Sequence, residues 1–174
     1  MAPMLEITPG LRRWTAFHDH WEEDVGSLAV QTSDGLVLID PIDPPSEVAA
    51  ADHVLITVYW HGRSTGTLGA KRVWASARSE RPLKSRGIEV TDPFRAGSAL
   101  PGGIRAFQTA RSAEVVYWLP DQRAVWKARM PPGSSSPVWN GSVTSTPLVL
   151  SGRFERAEAQ TCFAPISPAL RACQ

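Results

Sequence analysis

The stretch Ser27–Ile39 limits the fold of this chain more than any other part of the sequence. It holds two short apolar runs separated by Ser33-Asp34-Gly35, and an Asp-Gly pair between apolar runs is a strong local signal for a β-hairpin. The second run ends at Asp40-Pro41, and proline lacks the N–H that a central strand must donate. The sequence therefore predicts a hairpin that ends at this point, where the chain leaves the sheet.

A third apolar run, Val54–Thr57, is continuous rather than alternating. Such a run is typical of a strand that is buried on both faces of its sheet. The polar and aromatic loop Val58–Ser64 follows it directly. Because loops at the carboxyl ends of strands commonly carry the functional residues of α/β proteins, we expect a functional site here.

This order of elements resembles the N-terminal half of the metallo-β-lactamase superfamily. In that family a hairpin ending in Leu-Ile-Asp-Pro precedes a strand ending in Thr, and the metal-binding loop His-x-His-x-Asp-His follows. Leu38-Ile39-Asp40-Pro41 and Leu55-Ile56-Thr57 match this pattern. The resemblance covers residues 26–126. It implies an α/β fold, the four-layer αββα sandwich of the family, incomplete in its C-terminal part.

The metal-binding residues of the family do not match. Four ligand positions of the first loop hold residues without a metal donor, namely Val58, Trp60, Gly62 and Arg63. The pairs Ala110-Arg111 and Lys127-Ala128 stand where the family keeps Gly-His and Gly-Asp. Zinc sites need imidazole, thiolate or carboxylate ligands. The resemblance therefore implies a degenerate metal site, with no metal and no other cofactor.

Asp40 and His61 remain as candidate catalytic residues. The resemblance places Asp40 beneath the loop, where its carboxylate can accept loop N–H groups and pair with Arg63, which would make it structural. The alternative is an active hydrolase with an unusual zinc site built from His61, Asp40 and the pair His18/His20. Residues two apart on a strand share a face, so that pair could converge on one ion, although a zinc site needs three or four ligands.

Composition limits the partners of the chain. Eighteen basic and seventeen acidic side chains give a net charge of +1, so no overall field attracts nucleic acid or an anionic membrane. The first residues, Met1–Gly10, lack a basic start followed by a long apolar stretch, and no apolar run reaches membrane-spanning length, so we expect neither secretion nor membrane insertion. Cys162 and Cys173 match neither a disulfide framework nor a zinc motif. We therefore expect a cytoplasmic protein.

Other segments give weaker signals. Leu5-Glu6-Ile7 and Gly87–Val90 alternate as edge strands do, and the basic segment Ala77–Arg86, which contains Pro82, is typical of a solvated loop. Glu114–Leu119 and Ala124–Trp126 predict a second hairpin. Three tryptophans within apolar strands are interpreted as core residues, namely Trp74, Trp118 and Trp126.

The texture changes near Met130, where Pro131–Pro137 is rich in proline and serine. We therefore divide the chain into a metallo-β-lactamase-like domain, residues 1–130, and a divergent or poorly ordered segment, residues 131–174. Divergence, truncation and a shifted reading frame all remain open as its cause. The predicted function is that of a hydrolase-like protein without catalytic activity, whose cleft binds a small molecule or a protein partner.

Overall fold

The computed structural model describes residues 4–19, 22–127 and 148–151, and they form two β-sheets and one α-helix. Sheet A contains seven strands, namely β1 (Leu5–Thr8), β2 (Leu11–His18), β3 (Glu23–Thr32), β4 (Gly35–Ile39), β5 (His53–Ile56), β6 (Arg72–Ser76) and β7 (Asp92–Phe94). Sheet B contains four strands, namely β8 (Arg105–Gln108), β9 (Val115–Leu119), β10 (Ala124–Lys127) and β11 (Leu148–Ser151).

The strands of sheet A lie side by side in chain order, from β1 to β7, and the sheet has an antiparallel half and a parallel half. Strands β1 to β4 are antiparallel neighbours, whereas β4, β5, β6 and β7 run parallel. The predicted first hairpin is confirmed, because Thr32 pairs with Gly35 across a two-residue turn. Gly35 has a φ of +113°, a value that residues with a side chain rarely adopt. The turn therefore sets the register of β3 on β4.

Strand β5 is the buried centre of the parallel half of sheet A. All four of its residues are buried, as the continuous apolar run predicted, because β4 and β6 flank it and both of its faces are covered. Short 3₁₀ turns follow it at Tyr59–His61 and Arg63–Thr67, and others lie at Ser46–Val48 and Pro101–Gly103. The loop after β5 is thus compact rather than extended.

Two apolar cores hold the layers together. The larger core lies between the sheets and joins Ile39 and Leu55 of sheet A to Tyr117 and Trp126 of sheet B. The smaller core covers the other face of sheet A. Strands β8, β9 and β10 are antiparallel neighbours, and β11 adds to β10 in parallel. The result is an α/β architecture of two stacked sheets.

The prediction of a loop at Ala77–Arg86 is wrong, because Ala77–Lys84 forms helix α1. Ser76 caps this helix by accepting a hydrogen bond from the N–H of Arg78. Ser79 and Leu83 are buried by packing that local composition does not reveal. Pro82 lies inside the helix and removes one intrahelical hydrogen bond. No α-helix other than α1 occurs in the described residues, and none of their helices is long and apolar enough to span a bilayer.

The edge strand predicted at Gly87–Val90 is also misplaced. This segment has no strand pairing, and Ile88 packs into the smaller core. The edge of sheet A is formed instead by β7, which pairs with β6 in parallel. The alternation of apolar and polar residues arises here because Ile88 is buried, while the segment itself has no regular structure. The predicted edge strand near Leu5 and the predicted second hairpin are confirmed as β1 and as the pair β9 and β10.

Of the segment 131–174, the structure describes only β11, which joins sheet B beside β10. The rest of that segment lies outside the described residues. The predicted division of the chain at residue 130 therefore stays a prediction.

Candidate functional site

The candidate site is built where β4 and β5 end side by side. Asp40 follows β4 directly, and its N–H donates to the carbonyl of Leu55 at 3.0 Å. Its φ of +50° is uncommon for a residue with a side chain. Ser27 holds this conformation, because its Oγ donates to the Asp40 carbonyl at 2.7 Å and accepts from the N–H of Ile42 at 3.1 Å. The backbone thereby directs the Asp40 carboxylate toward Thr57 at the end of β5.

The Asp40 carboxylate is wholly buried and is surrounded by donors. The Thr57 N–H donates to Oδ1 at 2.9 Å, and the Thr57 hydroxyl donates to Oδ2 at 2.6 Å. The indole Nε1 of Trp126 donates to Oδ2 at 3.0 Å, and His61 Nδ1 lies 3.0 Å from the same oxygen. One carboxylate therefore ties together β4, β5, the following loop and sheet B.

The protonation states of Asp40 and His61 follow from this arrangement. Burial disfavours the Asp40 carboxylate, but its interaction and hydrogen bond with His61, the Arg63 charge and the Thr57 hydroxyl together outweigh burial, so the Asp40 pKa lies below its ordinary value. Burial lowers the pKa of His61, and the neighbouring Asp40 only partly offsets this effect. We therefore assign a neutral imidazole that carries its proton on Nδ1 and donates toward Asp40.

Arg63 contacts Asp40 through the main chain. Its Nη1 donates to the Asp40 carbonyl oxygen at 3.3 Å, and its charge also lowers the Asp40 pKa. The sequence predicted a pair between this guanidinium and the carboxylate itself. The carboxylate instead receives the Thr57, Trp126 and His61 donors, while the guanidinium lies beside the carbonyl.

The histidine pair of the alternative zinc site is only partly described. His18 ends β2 and lies near enough to His61 for its charge to disfavour protonation of that ring. His20 lies outside the described residues. Within the described part of the chain, no group of three His, Cys, Asp or Glu side chains could hold a metal ion.

The positions that match the family motif are packed in ways that do not suit metal ligands. Val58 is wholly buried in the protein interior. A Cβ atom on Gly62 would lie 2.5 Å from Ile88 Cδ1 and 2.9 Å from Leu83 Cδ2, so a carboxylate side chain does not fit there without movement. Arg63 carries a cation where the family has its last histidine. None of these three positions presents an imidazole, thiolate or carboxylate ligand.

Two residues of the site were missed by the sequence-based reasoning. Trp126 was interpreted as a core residue, and it is buried, but its indole N–H also binds Asp40 from 86 residues away. Glu114 was treated only as the start of a strand, yet it is wholly buried beside the end of β5. An acidic residue at the head of an apolar run was the available signal for Glu114, whereas no local signal exists for the Trp126 contact.

Fold and site together define an α/β protein of two stacked sheets, with a buried Asp-His pair at the carboxyl ends of neighbouring strands. The strand order of sheet A, the parallel half of that sheet and the presence of sheet B are as expected for the metallo-β-lactamase fold. Comparison with solved structures identifies this fold.

Three similar structures illustrate the match. The metallo-β-lactamase FIM-1 from Pseudomonas aeruginosa, in its mono-zinc form, is 17% identical over 77% of this chain and 72% of that chain, with a TM-score of 0.57. DIM-1 metallo-β-lactamase exposed to ceftazidime is 13% identical over 88% and 89%, with a TM-score of 0.62. Rubredoxin:oxygen oxidoreductase from Desulfovibrio gigas is 11% identical over 72% and 41%, with a TM-score of 0.59.

No family model and no curated protein sequence matches the chain. The solved structures show that the chain has the metallo-β-lactamase fold. Because their sequences are only distantly similar to this chain, they establish the fold alone.

Proposed function

We propose that this protein is a hydrolase-like protein of the metallo-β-lactamase fold with a degenerate metal site and no catalytic activity, and that its cleft binds a small molecule or a protein partner. The observation that carries the proposal is the Asp40 carboxylate, whose oxygens accept hydrogen bonds from Thr57 and Trp126 and face His61. A metal ion bound to Asp40 would have to displace these donors, and one of them, Trp126, joins sheet B to sheet A.

The packing of the loop supports the same conclusion. Catalytic zinc is held by about three protein ligands with an open position for water. The motif positions offer a buried valine, a glycine pressed against two apolar side chains and an arginine. His61 turns its Nδ1 toward Asp40. The ends of β4 and β5 thus support a hydrogen-bonded network on Asp40.

An active hydrolase is the second candidate, and the proximity of His18 to His61 favours it. In this reading His61 and Asp40 would be zinc ligands together with the pair His18/His20, and His20, which lies outside the described residues, would be needed to complete the site. Asp40 would then be catalytic instead of structural.

Metal content and hydrolysis separate the two candidates. We expect protein purified from zinc-supplemented cells to contain substoichiometric zinc and iron by elemental analysis, and to leave ceftazidime, the compound to which one of the similar proteins was exposed, unhydrolysed. Asp40→Asn should lower the free energy of unfolding by about 2 kcal/mol or more, because a buried carboxylate with several donors loses its charge. Asp34→Asn, in the first turn, is the matched control. Stoichiometric metal together with hydrolysis that Asp40→Asn abolishes at unchanged stability would establish the second candidate.

A further inference from the structure

Glu114 lies beside the network but takes no part in it. The N–H of the next residue, Val115, donates to the carbonyl of Thr57 at 2.9 Å. Glu114 therefore stands next to the end of β5, close enough to Asp40 for the two negative charges to interact. Its side chain is 0% exposed although glutamate is rarely buried in full without a partner.

The two carboxyl oxygens of Glu114 are unequally satisfied. Oε2 lies 3.4 Å from the Thr109 hydroxyl, a long hydrogen bond. Oε1 has no hydrogen-bond partner among the described residues. Burial of a polar atom without a partner costs free energy, so such an atom in a native protein requires an explanation.

The loop that carries Glu114 is fastened by its own side chains. Gln108 Nε2 donates to the carbonyls of Arg111 and Glu114 at 2.7 and 2.8 Å, and the Arg111 N–H donates to Thr109 Oγ1 at 3.1 Å. From α1, Ser79 Oγ donates to the Ala113 carbonyl at 3.0 Å. These bonds fix the main chain that carries Glu114, so the position from which its carboxyl group extends is preorganised.

We propose that Glu114 is the ligand-contacting acid of the cleft, and that its carboxyl group exchanges hydrogen bonds with a neutral amide or hydroxyl group of a small molecule. The inference rests on the proposed function as a binding cleft. Burial raises the pKa of Glu114, and the Asp40 charge adds to this effect against the opposing influence of Arg111. A carboxyl group whose pKa is raised keeps its proton to a higher pH than an ordinary glutamate does, and its protonated form offers one donor and one acceptor, which suits a neutral amide or hydroxyl group better than an ammonium ion.

The proposal is tested by NMR on protein labelled with ¹³C at its glutamate carboxyl carbons, with Glu114→Gln identifying the Glu114 signal. We expect acetamide to shift this signal saturably, together with the indole N–H signal of Trp126, and methylammonium to have no effect. Glu114→Leu should weaken acetamide binding at least about tenfold, the effect of losing one good hydrogen bond. Glu114→Gln, which keeps an acceptor and a donor, should retain binding.

The possible results separate the role of Glu114 from the proposed binding function of the cleft. Glu89→Leu, at an exposed glutamate, controls for the change of side chain, and thermal melting shows that each variant is folded. If acetamide shifts the Trp126 signal equally in the wild type and in Glu114→Leu, the cleft binds small molecules and the role of Glu114 is wrong. If methylammonium binds instead, the ligand class is wrong. If no neutral probe shifts any signal of the site, the proposed binding function fails as well.

Discussion

At the residue scale, the site depends on one carboxylate and on one imidazole that stays neutral. Asp40 collects donors from three parts of the chain, and His61 can donate to it only in the tautomer with hydrogen on Nδ1. Protonation of His61 would add a charge to a fully buried ring. The wholly buried position of both side chains therefore connects the stability of the fold to pH.

The His61 imidazole should make the protein less stable in mild acid. Its pKa in the folded protein lies below the ordinary value of 6.5, so the unfolded chain binds a proton at a higher pH than the native state. Stability from this group is present above pH 6.5 and is lost as the pH falls toward the folded pKa, by at most about 1.4 kcal/mol per pH unit. The depressed pKa of Asp40 acts in the same direction below its ordinary value of 3.8.

Denaturant unfolding of the wild type and of His61→Asn between pH 7.5 and pH 5 measures this contribution. The asparagine amide can donate to Asp40 but does not titrate, so the variant should lose less stability over this range than the wild type. His53→Asn, at a histidine on the other end of β5, is the control. Parallel pH profiles for wild type and His61→Asn would contradict the neutral, buried assignment.

Asp40 could be found from sequence because its position is encoded locally, by a hairpin that ends in Asp-Pro. The contact of Trp126 could not, since it joins segments that are distant in the chain and leaves no pattern in the sequence around it. Glu114 offered one signal, an acidic residue at the head of an apolar run, but its position beside the end of β5 also depends on a contact between distant segments.

At the element scale, helices and strands can be predicted where a few adjacent residues specify a turn or a buried strand. The Asp-Gly turn and the continuous run of β5 were predicted correctly because both depend on a few adjacent residues. Helix α1 was missed because its composition is polar and includes Pro82, while its Ser76 cap and the burial of Leu83 decide the outcome. Tertiary packing overrides weak local preference in such segments.

Gly35→Val should destabilise the first hairpin. Valine would need a positive φ that β-branched residues resist, and its Cβ would lie 2.3 Å from Asp52 Oδ2. The same Asp52 oxygen accepts the Leu36 N–H at 3.0 Å, so the clash would also break a bond that secures β4. We expect the free energy of unfolding to fall by about 1 kcal/mol or more.

Gly69→Val is the matched control for this change, because nothing lies within 4 Å of a Cβ at Gly69. Its free energy of unfolding, measured in denaturant, should stay near that of the wild type. An unchanged midpoint for Gly35→Val would mean that the turn does not depend on its left-handed glycine.

At the scale of the whole molecule, sheet B is joined to the candidate site by polar contacts as well as by the apolar core. Tyr117 donates to the carbonyl of Ile56 at 2.8 Å, and Trp126 donates to Asp40 at 3.0 Å. Both side chains are wholly buried. The same buried side chains therefore pack the two sheets together and contribute to the site. A change on sheet B should alter the environment of Asp40 on sheet A.

Trp126→Phe tests this connection. The substitution keeps an aromatic ring in the core but removes the indole N–H, so the Asp40 carboxylate loses one donor while it stays buried. We expect the free energy of unfolding to fall by about 1–3 kcal/mol, the cost of an impaired buried hydrogen bond to a charged group together with a small cavity. The Asp40 pKa, followed by NMR of its ¹³C-labelled carboxyl group, should rise because the carboxylate form loses stabilisation.

Trp118→Phe, at a half-buried position on β9, controls for the change in ring size. If both variants lose equal stability and the Asp40 pKa does not move in Trp126→Phe, the indole contributes only its volume, and the network on Asp40 is confined to sheet A and its loop.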